Sequence, residues 1–405
     1  MKKIIYNLCF FLFLCINACK TPTFVEKDSV TFETGFPIQK YSYGVYCSPE
    51  NQKEYIYFCS NTSDMRICFF TPEGKQDNCM PDIIFKKNAL KGYLNINSTA
   101  FYNKDTVVII DKYSPDNKMA YGNKEGEVVY QEIFESTFDS LPEKIWFLNV
   151  INNHFPSKYI YFRTKWNCQY PRDKKYAQKD YYNSKFDFWE YLKQYMIQEY
   201  AMPQICKYDA ANHSYILSEP NMIQKYLLPQ DSAFQITDEN SQILNAAFTG
   251  ESYDNKVFAW MDACNKVLVL NPDNLQVETS FEVLSDYGTI GGDPFLLKDK
   301  NQKQGEIFEK SGAIDKVLYD KNKNRYYVIT RHKLPFEDFA FLSDAAFSIH
   351  IYDKNFKKLG EQYFEEGKYD FRFIILTSKG LYIAKNENSK DYDPEKVQFF
   401  RFEVK

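Results

Sequence analysis

The chain has 405 residues, a formal net charge of -4, 44% apolar residues and 18% aromatics, with 33 Tyr and 35 Phe beside only 15 Gly. Charges of both signs are interspersed, which excludes a nucleic-acid binder carrying a basic stripe. The aromatic wealth suits strands better than helices. Beyond the N-terminal leader no apolar run approaches the roughly 18 residues that a membrane-spanning helix needs.

The leader reads Met1-Lys2-Lys3, an apolar run from Ile4 to Ile16, then Asn17-Ala18-Cys19. A basic start, a short apolar core and a small residue before the cut describe a secretory signal. Losing Lys2 and Lys3 with it takes the net charge from -4 to -6. The same residues resemble a bacterial lipoprotein leader: Ile16, Ala18 and Cys19 match the lipobox, and Asn17 is unusual in it. The resemblance implies that Cys19 is acylated and holds the protein on a bilayer. Residues 1–18 are thus expected to be the leader, 19–28 a tether and 29–405 one domain.

The later cysteines are Cys47, Cys59, Cys68, Cys79, Cys168, Cys206 and Cys264. They show no CxxC pair and no His at metal-site spacing, so neither a metal nor a cofactor is expected. Cys59 and Cys68 fall on neighbouring strands and could bridge if the register sets them opposite. Buried free thiols are the expected state.

A turn followed by an aromatic or β-branched run recurs along the chain. The copies are Glu54–Phe58, Asp105–Ile110, Lys158–Phe162, Lys256–Trp260, Arg325–Ile329 and Gly380–Ala384. Their commonest spacing is about 50 residues, the range of propeller blades. Each follows another strand-like run, so the units begin near Tyr41, Asn95, Ile145, Ile243, Ile314 and Tyr369. A second turn, at Thr71–Gly74, Asn271–Asn274, Tyr352–Asn355 and Lys124–Gly126, places Gly or Asn where a left-handed residue would close a hairpin.

The predicted fold is therefore all-β, a β-propeller of about six four-stranded blades. Tyr208–Leu217 opening a seventh blade is the alternative. The last unit has three strands, and Val30–Glu33 supplies the fourth and closes the ring. Ser184 followed by Phe188, Trp189, Leu192, Tyr195 and Met196 predicts one helical insertion near 184–200.

In such units the turns joining strands one to two and three to four fall at one end, and all longer connections at the other. Binding residues are expected among the long loops. The second strands deliver Asn61, Asp111, Arg163, Asp262, Arg331, His332 and Asn386 there, with Trp166, Trp189, Tyr287 and the turn Gly291-Gly292-Asp293-Pro294 nearby. Aromatic platforms among charged groups suit a sugar or peptide. The ligand set read from sequence is Asp111, Arg163, Trp166, Trp189, Asp262, Arg331 and His332. His350, alternating with Ile349 and Ile351, reads as an inter-blade or surface residue. No HExxH or nucleophile elbow is present.

The lipobox-like leader, the Tyr-Asp-Lys-Asn turns at Tyr319–Asn322 and Tyr352–Asn355 and the six units together resemble uncharacterised six-bladed propeller lipoproteins of Bacteroidetes, a domain-of-unknown-function family. The resemblance implies a cell-envelope location, lipid-anchored on the outer membrane with the periplasmic or surface face open, and carries over no active-site residues. The expected partners are the membrane, through Cys19, and a glycan, a peptide or an envelope protein. The alternative function is a polysaccharide hydrolase or lyase using carboxylates of the long-loop face.

Overall fold

The second run of each repeat is apolar on both faces, and among the described residues it becomes a strand buried on both sides, as in Glu54–Cys59 and Lys256–Met261. The computed structural model describes residues 22–38, 43–60, 65–86, 96–103, 105–111, 118–133, 144–151, 159–167, 201–227, 248–253, 256–261, 264–291, 312–333 and 342–405. Within them, β1 (Phe24–Glu33) precedes six sets of strands. Sheet I holds β2 (Tyr43–Cys47), β3 (Glu54–Cys59), β4 (Met65–Phe70) and β5 (Ile83–Phe85). Sheet II holds β6 (Ile96–Asn103), β7 (Thr106–Asp111), β8 (Lys118–Asn123) and β9 (Val128–Ile133). Sheet III holds β10 (Lys144–Ile151), β11 (Tyr159–Asn167), β12 (Ile205–Asp209) and β13 (Ser214–Leu217). Sheet IV holds β14 (Phe248–Tyr253), β15 (Lys256–Met261), β16 (Lys266–Leu270) and β17 (Val277–Glu282). Sheet V holds β18 (Ala313–Asp320), β19 (Arg325–Arg331), β20 (Phe347–Asp353) and β21 (Lys358–Phe364). Sheet VI holds β22 (Tyr369–Thr377), β23 (Gly380–Lys385) and β24 (Lys396–Val404), completed by β1.

All six sheets are antiparallel with four strands each. Tyr208–Leu217 does not open a further sheet: it supplies the last two residues of β12 and all of β13, in the outer half of sheet III. The helical insertion expected near 184–200 lies outside the described residues.

β1 is longer than Val30–Glu33. It pairs with β24 from Phe24↔Val404 to Glu33↔Lys396. Residues 24–28 are therefore strand, not tether. The cause is Phe24, which is buried against the Tyr327 ring at 5.2 Å and whose amide donates to Gln362 Oε1 at 2.5 Å. At the other end Phe32 sits among Phe58, Phe70 and Phe399.

Aromatic and branched side chains fill the spaces between successive sheets. One core runs through sheets IV, V and VI, a second joins VI to I around Phe32, a third joins I to II, and a fourth joins III to IV. First strands lie side by side as β6 with β10, β10 with β14, β14 with β18, β18 with β22 and β22 with β2. A four-stranded sheet cannot bury both faces alone, so stacking against neighbours supplies the rest of its core.

The register closes the disulfide alternative and leaves the expected free thiols, and one turn expectation is corrected. Cys68 pairs in register with Phe58, and Cys59 with Ile67, so the two thiols face opposite sides of sheet I and cannot bridge. Burial pushes both up to about 12. The left-handed turn position is Gly74 (φ 80°) and Gly126 (φ 78°) in sheets I and II, but Leu275 (φ 57°) and Phe356 (φ 61°) in IV and V. Asn274 and Asn355 precede it, their amides bound to the side chains of Asn271 and Asp353. Burial offsets the strain: Leu275 is enclosed, and Phe356 stacks on Phe281 at 4.9 Å.

Candidate functional site

Within sheets I to V the turns between strands one and two, and between three and four, leave from one end, the short-turn end; in sheet VI the β22–β23 turn does the same, and β1 meets β24 without a turn. Connections from strand two to three and from sheet to sheet leave from the opposite, long-loop end. His332 follows β19 at the long-loop end, and its Nε2 meets Ser348 Oγ of β20 at 2.8 Å. Its ring lies 5.2 Å from that of Tyr363 on β21, and Tyr363 stacks on Tyr287 at 4.9 Å. Tyr287 comes from the connection after β17 and is 56% exposed, whereas His332 is 7% exposed. The three rings make a column that starts in the core and ends in solvent.

A second set of polar groups braces this column from behind. The register puts Val328, His350 and Glu361 side by side on one face of sheet V, with Thr330 and Ser348 one step along. His350 Nε2 meets Thr330 Oγ1 at 2.9 Å, and its Nδ1 lies 3.5 Å from Glu361 Oε2. Glu361 also accepts from Ser285 Oγ at 2.5 Å, Lys358 Nζ at 2.7 Å and the Asp286 amide at 3.0 Å. Burial pushes the Glu361 carboxyl up, but these donors and His350 outweigh it and hold it down at about 2. Burial takes His350 down to about 4 despite Glu361 opposing it, so the imidazole is neutral at pH 7. His332 is lowered for the same reason. These bonds fix the 284–287 segment against sheet V and so position Tyr287.

Sheets V and VI are joined at the same end. The Asn386 amide after β23 donates to Ser343 O at 2.9 Å and Asp344 Oδ1 at 2.7 Å, and Asn388 donates to Asp344 Oδ2 at 2.9 Å. On β22 Arg372 holds Asp370 in a fork (2.9 and 2.6 Å) and also Glu387 at 2.6 Å. Between the first strands, Lys316 Nζ of β18 reaches the Tyr43 hydroxyl of β2 at 2.5 Å, and that hydroxyl donates to Arg372 O at 2.6 Å. A register shift between Ile314 and Lys316 re-aims this stretch of β18.

The sequence-derived set is placed as follows. His332 belongs to the aromatic column. Arg331, its neighbour, is opposite Phe347 in register and donates from Nη1 to His332 O at 3.5 Å. Arg163 and Trp166 lie on β11, opposite Asn149 and Ile145. Asp111 closes β7 opposite Ile96. Trp189, Asp262 and Asn61 lie outside the described residues. Asn386 is a buried lock between two sheets and offers nothing to a ligand directly. Tyr363, Glu361, Ser285 and Lys358 were missed. The only local sign of the three on β21 is its outer-strand alternation, which does not tell a platform residue from any other, and Ser285, in the connection after β17, carries no local sign. Among the described residues no group of three or more His, Cys, Asp or Glu is placed to hold a metal ion.

An all-β chain of small four-stranded antiparallel sheets is the class that the fold defines. The chain superposes on a member of the DUF4221 family from Bacteroides vulgatus with a TM-score of 0.62, at 15% identity, over 95% of this chain and 99% of that one. A protein from Bacteroides fragilis described as exported matches with a TM-score of 0.49 at 12% identity, over 95% and 96% of the two chains. The β-propeller domain of Swd1 from Myceliophteria thermophila matches with a TM-score of 0.39 at 8% identity, over 93% and 98%. At 15% identity the first likeness is one of fold alone. No protein-family model and no curated protein sequence matches the chain.

Proposed function

We propose that the six sheets are the blades of one closed six-bladed β-propeller, held to the outer membrane by lipid on Cys19, whose long-loop face binds a glycan, a peptide or an envelope protein. The chain of inter-sheet cores and the side-by-side first strands support the ring, with β1 on β24 as its latch. The Ile16-Asn17-Ala18-Cys19 leader supports the anchor.

The observation that carries the binding function is the His332–Tyr363–Tyr287 column. An exposed ring backed by a second ring and a buried hydrogen-bonded imidazole presents a rigid flat surface at little entropic cost. Exposed Asp286, Glu365 and Glu366 accompany it, so a neutral polyhydroxylated ring fits better than a phosphate-bearing one. Binding is favoured over hydrolysis because four described carboxylates of this end are tied to cations: Asp370 and Glu387 by Arg372, Glu361 by Lys358, Asp391 by Lys385.

Calorimetric titration with xylo-, manno-, cello- and malto-oligosaccharides and with aromatic peptides tests the proposal. Tyr287→Ala should weaken the binding by about tenfold, and Tyr287→Phe should keep most of it. Binding unchanged in Tyr287→Ala removes the platform from the account. Product release from any of these sugars, lost in Asp370→Asn or Glu387→Gln, would favour the hydrolase.

A further inference from the structure

The two ends of the sheets are not equivalent with respect to the N-terminus. β1 runs antiparallel to β24, so Phe24 lies beside Val404 at the short-turn end and Glu33 beside Lys396 at the long-loop end. Thr23 and Lys405 continue the ladder, exchanging backbone bonds of 3.3 and 2.9 Å. Pro22 is buried. Only Lys20 and Thr21 then separate Cys19 from the fixed part of the chain, a reach of about 10 Å. The strands extend about 25 Å from that end to the other.

The short turns around the exit are basic. Lys321 and Lys323 sit in the β18–β19 turn, Lys354 and Lys357 in the β20–β21 turn and Lys379 in the β22–β23 turn, with Lys405 beside Thr23, and all six are exposed. Lys323 Nζ donates to Val404 O at 2.7 Å, and Arg401 to Lys379 O at 3.3 Å, so the turns of sheets V and VI gather at the exit. The acids in these turns are turned inward to cap them: Asp320 accepts from the amides of Asn322 and Lys323 and from the Tyr327 hydroxyl, and Asp353 from those of Asn355 and Lys357. The chain as a whole is acidic, so a lysine arc beside the tether has a local meaning.

We infer that the short-turn end faces the membrane, its Lys321, Lys323, Lys354, Lys357, Lys379 and Lys405 lying against anionic phospholipid headgroups, and that the long-loop end points away from the bilayer. This rests on the lipid anchor at Cys19. A short tether fixes which end is near, and lysines near an anionic surface bias the tilt. The binding face is thereby presented to the compartment rather than to the lipid.

The test uses the full chain purified from membranes and reconstituted in phosphatidylcholine vesicles with and without about 30% phosphatidylglycerol. A fluorophore is attached through a genetically encoded azide side chain at Asn355, on a short turn, or at Leu284, beside the aromatic column. A headgroup nitroxide should quench the Asn355 label at least about threefold more than the Leu284 label, more so with phosphatidylglycerol present. Reversing Lys321, Lys323 and Lys354 to Glu should remove the phosphatidylglycerol dependence. Equal quenching at both positions, or stronger quenching at Leu284, overturns the orientation while leaving the anchor standing. A dependence that survives charge reversal overturns the role of the lysines. A chain whose mass shows no acyl group at Cys19 overturns the anchor and the orientation with it.

Discussion

Lys316 and Tyr43 touch although their strands belong to sheets V and I, with sheet VI between them in the chain of packed neighbours. The Tyr43 hydroxyl accepts from Lys316, donates to Arg372 O and accepts from the Ile374 amide at 3.3 Å, so one oxygen ties three sheets together. The Lys316 ammonium also lies 4.8 Å from the centre of the same ring. Burial pushes the phenol up, against the pull of Lys316, so it stays a neutral donor. Tyr43→Phe keeps the ring and deletes the three bonds. It should lower unfolding free energy by about 1–3 kcal/mol. A urea midpoint within experimental error of wild type would show that the oxygen contributes nothing.

The latch makes a second prediction. Phe32 is fully buried among three phenylalanines drawn from sheets I and VI. Phe32→Ala should cost about 3–5 kcal/mol. Loss of the latch should also expose β24, so the variant is expected to aggregate or to be cut by protease near residues 396–404 sooner than elsewhere. Cleavage spread evenly along the chain would argue that β1 is an ornament on the sheet.

Gly126 and Gly367 share a left-handed backbone, φ 78° and 82°, but not their surroundings. A Cβ on Gly126 would stand 1.9 Å from Ile84 O, whereas one on Gly367 would meet nothing within 4 Å. Gly367→Ala should therefore cost only the conformational penalty, about 1–2 kcal/mol. Gly126→Ala should cost clearly more, because the β8–β9 turn must pull off β5. Equal thermal shifts in the two variants would contradict the close approach.

Acid should loosen sheet V before it unfolds the rest. His350 is lowered from 6.5 to about 4, so below pH 6.5 the unfolded chain binds a proton that the folded one refuses. Stability therefore falls as pH drops from about 6.5 towards 4, by on the order of 2–3 kcal/mol from this group. Glu361 adds to it: held at about 2 in the folded state, it contributes stability above 4.5 that is lost as pH falls from 4.5 towards 2. His350→Phe should flatten the upper limb of the melting-temperature profile between pH 6.5 and 4 and leave the lower one. A profile unchanged by the substitution would assign the acid sensitivity elsewhere.

Much of the architecture is legible along the chain. The six second strands fall on the expected residues, and five of the six first strands begin within two residues of their expected starts, because alternation and turn residues act between neighbours in sequence. Register is less legible. Whether Cys59 and Cys68 could bridge is open in the sequence, and only the one-residue offset that sends them to opposite faces decides for the expected free thiols. Leu275 and Phe356 took the strained turn positions that Asn274 and Asn355 were expected to hold, since the burial of Leu275 and the packing of Phe356 on distant aromatics outweighed local preference.

The candidate site is divided the same way. His332 could be picked out because it follows a strand that ends at the long-loop end, a matter of counting residues. Its partners could not. Ser285 and Glu361 are 76 residues apart and meet only because sheet IV packs on sheet V. Local runs of residues dictate which segments are strands and where each one turns, as those choices depend on near neighbours. Which rings stack, which carboxylate is held ionised and which end lies beside the tether depend on contacts between sheets, and no periodicity within one strand encodes them.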